Sequence, residues 1–380
     1  MGDKQSANDF FESVAEIIRQ ARRFVGRTAD LTMCVTYFEV GRMIVEEEQG
    51  GKARAEYGRG LMRGLANFLS KEFGRGFSLS TLKNAKQFYN VYVPSIKQTA
   101  PDESNGKSQA MISFFENDFP RQKSQAMISQ LYRFNLSWSH YLILMRIKND
   151  DERRFYEIEA VKQQWSYRHL QRQYGSSLYE RLALSRDKDE VMRLAKEGQQ
   201  MQKPKDILKN PLVLEFLDLS EDAAYSETDL EKAIISKLSK FLLELGKGFL
   251  YEARQKRFTF DEKHFYVDLV FYNRLLQCYV IIDLKADELK HQDLGQMLMY
   301  VNYFDRYVKA DHEKPTVGIL LCKKRDANMV ELTLPEDANI YASEYNLYLP
   351  DKALLQRKLA EWIEEFEFCS CPSLPLKPHS

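Results

Sequence analysis

Two apolar runs, His264-Phe-Tyr-Val-Asp-Leu-Val-Phe-Tyr272 and Cys278-Tyr-Val-Ile-Ile-Asp-Leu-Lys285, lie close together in the chain and constrain its folding more than any other feature. Their density of β-branched and aromatic residues predicts two strands, and the continuous run Cys278 to Ile282 predicts a strand buried on both faces. An acid entered directly from such a strand belongs to a site more readily than to a solvated edge. Side chains alternate across a strand, so Asp283 and Lys285 share a face. If residues 264–273 and 276–285 form a hairpin with a two-residue loop at Arg274-Leu275, Asn273 faces Leu276 and Asp268 faces Ile281. Asp268 is then one same-face step from Asp283. A loop one residue longer would turn Asp268 to the opposite face, and a turn without Gly leaves the turn type open.

Two carboxylates and a lysine on one sheet face suit metal-dependent cleavage of a phosphodiester. Carboxylate oxygens hold Mg²⁺ or Mn²⁺, which activates water and takes up charge on phosphate oxygens. Asp268 and Asp283 are the expected ligands. Lys285 can orient or deprotonate the attacking water, or neutralise the transition state. The competing reading is a surface Asp/Lys ion pair on an edge strand. Downstream, a helix over about 290–307 would put Gln296 and Tyr300 one turn apart on one face, where they could hydrogen-bond a phosphate or brace the lysine, or simply flank the helix. Upstream, Asp229 to Gly246 has helical apolar spacing, a polar start at Ser226 or Thr228 and a Gly stop, with Glu231 in its first turns.

These blocks together resemble the PD-(D/E)XK nuclease superfamily, and within it the YhcG-like bacterial nuclease family. The resemblance is carried by Leu230-Glu231-Lys-Ala-Ile, Phe241-Leu-Leu-Glu-Leu-Gly246, the Tyr-Val-Asp-Leu-Val-Phe-Tyr strand, Ile-Ile-Asp-Leu-Lys, Gly295-Gln-Met and Val317-Gly-Ile-Leu-Leu-Cys322. It extends into the N-terminal half through Ala55-Glu-Tyr-Gly58, Leu136-Ser-Trp-Ser-His-Tyr141, Trp165-Ser-Tyr-Arg168 and Pro211-Leu-Val-Leu-Glu-Phe-Leu217. It implies a restriction-endonuclease-like α-β-β-β-α-β core with Asp268, Asp283 and Lys285 at the superfamily's catalytic positions. It also implies that Glu231 is the acid of the leading helix, assisting the metal directly or through water, and Gln296 the polar residue of the following helix. Asp283 departs from the Glu more usual in the family, which shortens that ligand by one methylene.

The remaining chain predicts an α+β multidomain protein. Its 380 residues, 44% hydrophobic, are enough for two cores, with a boundary near residue 205. Residues 1–204 read as a mostly helical domain, 205–368 as the nuclease domain, and 369–380 as a disordered tail holding Cys369 and Cys371. Phe10 to Val25 and Asp30 to Glu48 are expected helices. Formal net charge is zero, so nucleic-acid attraction must come from local patches. One is Arg59, Arg63, Lys71, Arg75, Lys83 and Lys86, in a stretch that reads as helices over Gly60 to Gly74 and Leu79 to Val91 joined by the turn Arg75-Gly-Phe-Ser78, the pattern of a helix-turn-helix. Ser78 or Ser80 would cap its second helix and Thr81, Lys83, Asn84 and Gln87 would face a groove; the bland alternative is a solvated helical face. Tyr300 joins the nucleic-acid-binding candidates.

Residues 93–130 read as an exposed connector in which Lys107-Ser-Gln-Ala-Met-Ile-Ser113 recurs as Lys123 to Ser129, a local duplication. Trp138, Tyr141, Arg153, Trp165 and Arg172 mix aromatics with arginines, a mixture that can clamp nucleic acid but here follows helical core spacing; His140 reads as structural. Five cysteines without a C-x-x-C pair predict reduced thiols and no zinc site. No apolar run reaches the length of a membrane span and no signal peptide is evident, so a cytoplasmic location is expected, with no membrane partner. The reading is therefore a divalent-metal-dependent endonuclease acting on DNA, with RNA as a rival substrate and a role in genome defence or mobile-element control. The alternative is an inactive nuclease fold used for nucleic-acid binding or assembly. A homodimer would ease double-strand cleavage, since one site cuts one strand; another protein partner is also open.

Overall fold

The computed structural model describes residues 2–50, 55–74, 76–98, 134–184, 188–219, 225–260, 262–335 and 337–359. The duplicated heptapeptide, Arg75, the side chain of Arg59 and the Cys369/Cys371 tail lie outside the described residues. The chain divides into two compact units, 1–170 and 171–380.

The first unit is helical. Helix α1 (Gly2–Gly50) runs through both segments expected as separate helices, since nothing between Val25 and Asp30 breaks helical geometry. It packs on α3 (Leu79–Gln98), which follows α2 (Ala55–Phe73) after a short turn. Gly74, at φ +78°, ends α2, and Ser78 Oγ accepts from Thr81 N (3.2 Å) to cap α3. Phe38, Phe88, Tyr92, Phe134 and Tyr141 form an aromatic core whose rings meet at 4.9–6.1 Å. The Trp138-to-Arg168 aromatics are thus mainly packing residues. His140 is structural: Nδ1 lies 2.6 Å from Ser137 Oγ and Nε2 2.9 Å from the Trp165 carbonyl.

Helices α1 and α3 approach so closely at Gly41 that a Cβ there would sit 2.1 Å from the Ala85 carbonyl oxygen. Gly41→Ala should therefore destabilise this unit by about 1–3 kcal/mol. Gly64→Ala, in open space on α2, should be neutral or stabilising by up to about 1 kcal/mol. Hydrogen exchange of α1 and α3 amides reads the difference; equal protection in both variants would remove the close-approach account.

The second unit holds a six-stranded sheet in the order β1-β6-β5-β4-β3-β2, where β1 is Leu212–Val213, β2 Phe249–Phe260, β3 Lys263–Asn273, β4 Cys278–Leu284, β5 Val317–Cys322 and β6 Ile340–Asn346. Strands β2, β3 and β4 are antiparallel; β4, β5, β6 and β1 run parallel. Parallel strands need long crossovers, and the one from β4 to β5 contains helix α11 (His291–Tyr307). Leu294, Met297, Tyr300 and Phe304 of α11 bury one sheet face with Val270, Ile281 and Leu320. The other face packs on α9 (Glu227–Ser236) and α10 (Leu238–Leu245) through Leu230, Ile234, Phe241 and Leu245. The expected α-β-β-β-α-β order is present. The single helix expected from 229 to 246 is broken at Lys237 (φ −121°), and Ser226 caps its start by accepting from Asp229 N (3.2 Å). Gly318 lets β5 approach α11, since a Cβ there would meet Met297 Sδ at 2.7 Å.

By contacts, residues 171–204 group with the sheet-bearing unit. Arg181, fully buried, donates to Glu244 Oε1 (2.5 Å), to the Ser176 carbonyl (2.8 Å) and to the Pro211 carbonyl (2.9 Å). Glu244 Oε1 also accepts from Val213 N (3.1 Å), while its Oε2 pairs with Arg172 (3.2 Å). A buried charge must be matched, and this match ties the segment before β1 to α10.

Candidate active site

The β3–β4 hairpin turns over four residues, Arg274 to Gln277, and not two. Asn273 Oδ1 accepts from Leu275 N (3.0 Å) and Leu276 N (3.1 Å), and Gln277 takes φ +56°, so a side chain performs the task usually given to a turn glycine. The register differs from expectation by two residues. Because side-chain direction has period two, the faces are unchanged. Leu269 pairs with Ile282, which puts Asp268 level with Asp283 on the next rung.

Asp268 is held at both oxygens: Oδ1 accepts from Gln255 Nε2 (2.8 Å) and Oδ2 from Leu284 N (2.8 Å). Asp283 is 3% exposed, and its Oδ2 lies 2.9 Å from Lys285 Nζ, yet meets no donor in hydrogen-bonding geometry among the described residues. Burial and the adjacent Asp268 charge push Asp283 up to about 7. Burial opposes charge on Lys285, but Asp283, Glu227 (3.7 Å) and Asp293 (3.8 Å) outweigh it and raise its pKa above that of an ordinary lysine. Tyr345 OH donates to the Lys285 carbonyl (3.3 Å) and shares a hydrogen bond with Tyr225 OH (2.9 Å). Glu227, Asp293, Tyr225 and Tyr345 carried no sequence signal, because their closeness to Lys285 depends on how α9, α11 and β6 assemble.

The third expected acid, Glu231, meets Asp268 through Gln255. Among the described residues, no three Asp, Glu, His or Cys side chains are grouped so that they could hold a metal ion. Glu231, 5% exposed on α9, is joined to Asp268 through Gln255, whose Nε2 donates to Glu231 Oε2 as well; its Oε1 lies 3.4 Å from Arg254 Nε. Asp268 and Asp283 remain the residues that could hold a divalent ion. Two like charges across one rung, one of them a buried oxygen short of a donor, suit a hard cation that accepts one or two carboxylates and keeps its waters.

Gln296 donates to Tyr300 OH, one helical turn away as expected. Tyr300 is only 1% exposed and sits in the α11 core within the field of Asp283, Asp268 and Lys285, so it cannot contact nucleic acid as first read. In the first unit Arg63, Lys71 and Lys83 are exposed. Lys86, expected in the basic patch, instead pairs with Glu48 across α1 and α3, and Gln87, expected to face a groove, donates to the Met145 carbonyl (2.8 Å).

Comparison with known proteins gives matches along most of the chain. Residues 205–360 match the family described as the YhcG PDDEXK nuclease domain, and residues 13–181 the DUF1016 N-terminal domain. The chain is 37% identical over 350 residues to an Escherichia coli (strain K12) protein named "Putative nuclease YhcG", covering 92% of both chains. Among solved structures, a repair endonuclease from Pyrococcus abyssi is similar at 19% identity over 35% of this chain and half of that one, with TM-score 0.23. EndoMS bound to double-stranded DNA is similar at 18% identity over 35% of this chain and 49% of that one, with TM-score 0.24.

Proposed function

Because this chain belongs to the YhcG family of PD-(D/E)XK nucleases, we propose that it is a divalent-metal-dependent endonuclease that hydrolyses phosphodiester bonds in DNA. The observation that carries this reading is the placement of Asp268 level with Asp283, with Lys285 Nζ 2.9 Å from the buried Asp283 oxygen. Asp268 and Asp283 would hold Mg²⁺ or Mn²⁺, which supplies Lewis acidity for attack on the phosphodiester. Asp268 is fixed in orientation by Gln255 and Leu284 N, so little rearrangement is needed when a cation is held. Lys285, 2.9 Å from Asp283, would orient or activate the attacking water or neutralise developing charge on phosphate oxygens. Gln296, through its bond to Tyr300, would support the polar flank of the site. Arg63, Lys71 and Lys83 of the helical region would add phosphate contacts and so recruit substrate.

Among the described residues no helix is long and apolar enough to cross a membrane. A cytoplasmic location and a part in genome defence or mobile-element control complete the proposal, by analogy with bacterial nucleases of this kind. The test is incubation of the purified protein with plasmid, linear, single-stranded and branched DNA, and with RNA, in Mg²⁺, Mn²⁺ or EDTA. DNA cleavage that stops in EDTA is the expected result. Preferential RNA cleavage would change the substrate, and binding without cleavage in every condition would favour an inactive nuclease fold that acts by binding.

A further inference from the structure

Gln255 stands in β2 with a left-handed backbone, φ +43°, just beyond a register shift between Tyr251 and Ala253. A non-glycine residue rarely adopts this conformation without some compensation, and bulges beside active sites commonly re-aim a side chain. Here the compensation is visible. The Gln255 amide nitrogen donates at once to Glu231 Oε2 and to Asp268 Oδ1, while Arg254 lies beside the other Glu231 oxygen. An electropositive NH₂ group thus sits between two carboxylates from different elements, the ground that a cation bridging them would take.

We infer that the Gln255 amide substitutes for a second metal ion, so that this nuclease site holds one divalent cation, between Asp268 and Asp283, while Glu231 is kept out of its coordination shell. The inference rests on the metal-dependent reading above. Between Glu231 and Asp268 the space is already taken by the Gln255 amide nitrogen, with Arg254 Nε 3.4 Å from the other Glu231 oxygen; between Asp268 and Asp283 no bridging donor stands among the described residues, and the buried Asp283 Oδ2 meets only Lys285 Nζ, at 2.9 Å and outside hydrogen-bonding geometry. A neutral amide can hold two carboxylates together through its two N–H groups without adding a titratable group.

Mn²⁺ titration of the full-length protein, followed by electron paramagnetic resonance and calorimetry, tests this without relying on activity. Wild type should bind one Mn²⁺. Gln255→Gly removes the amide and suits the left-handed backbone, so folding should be kept. It should bind two Mn²⁺, with the spin–spin coupling expected of ions about 4 Å apart. The double variant Gln255→Gly/Glu231→Gln should return to one. Two ions in wild type, or one ion in Gln255→Gly, would overturn the inference and leave the metal-dependent reading standing. No Mn²⁺ binding by wild type would remove both.

Discussion

Lys285→Ala should slow metal-dependent cleavage by at least about 10²-fold while the protein stays folded, because a single preorganised cation beside developing phosphate charge contributes on that scale. Asp283→Ala should have a comparable effect by removing a carboxylate from the proposed cation site. Neither substitution should collapse the sheet. Asp283 lies beside Asp268 and is pushed up to about 7 by burial and that like charge, so its loss relieves repulsion. Losing Lys285 leaves a carboxyl that can take a proton near neutral pH. Single-turnover cleavage, with circular dichroism and thermal melting in parallel, reads both sides. Wild-type cleavage by either variant would remove the site assignment; lost cleavage with lost folding would mean that these residues hold the β4 end together.

Glu244→Gln should cost about 3–5 kcal/mol, since it leaves the fully buried Arg181 without its counter-charge. The expected fall in melting temperature of the sheet-bearing unit is about 10 °C. Burial works against the Glu244 charge, but Arg181, Lys209 and Arg172 outweigh it and hold the carboxyl down at about 2. A depressed carboxylate stabilises the fold above its unfolded pKa, about 4.5. That contribution is lost as pH falls from about 4.5 towards 2. Wild type should therefore lose stability steeply over this window in acid unfolding, and Glu244→Gln much less so. Equal acid slopes in the two proteins would show that the Arg181–Glu244 pair is not what ties residues 171–217 to α10.

The site was legible where local chemistry speaks for itself. An acid and a lysine two residues apart at the end of an apolar strand share a face whatever the tertiary structure, and Gln296 meets Tyr300 because a helix turn brings them together. Asp268 was placed on the correct face although the turn was read two residues too short, because an even error in register conserves the face. Lys86 and Gln87 show the opposite case: one suited a basic patch and the other a groove, but Glu48 of α1 and the Met145 carbonyl engage them, and nothing in α3 alone reveals those neighbours. Tyr300 likewise looked available until the α11 core closed over it.

By itself the sequence determined the strands around Asp268 and Asp283 and the common face of Asp283 and Lys285, because these follow from periodicity and residue runs read along the chain, while the family and its α-β-β-β-α-β order came from the resemblance its motifs carry. Tertiary structure alone decided that Arg181 meets Glu244 of α10, that Glu227 and Asp293 surround Lys285, and that Gln255 bridges Glu231 and Asp268. Those outcomes depend on long-range charge pairing and on a left-handed backbone in mid-strand, and neither leaves a pattern in neighbouring residues.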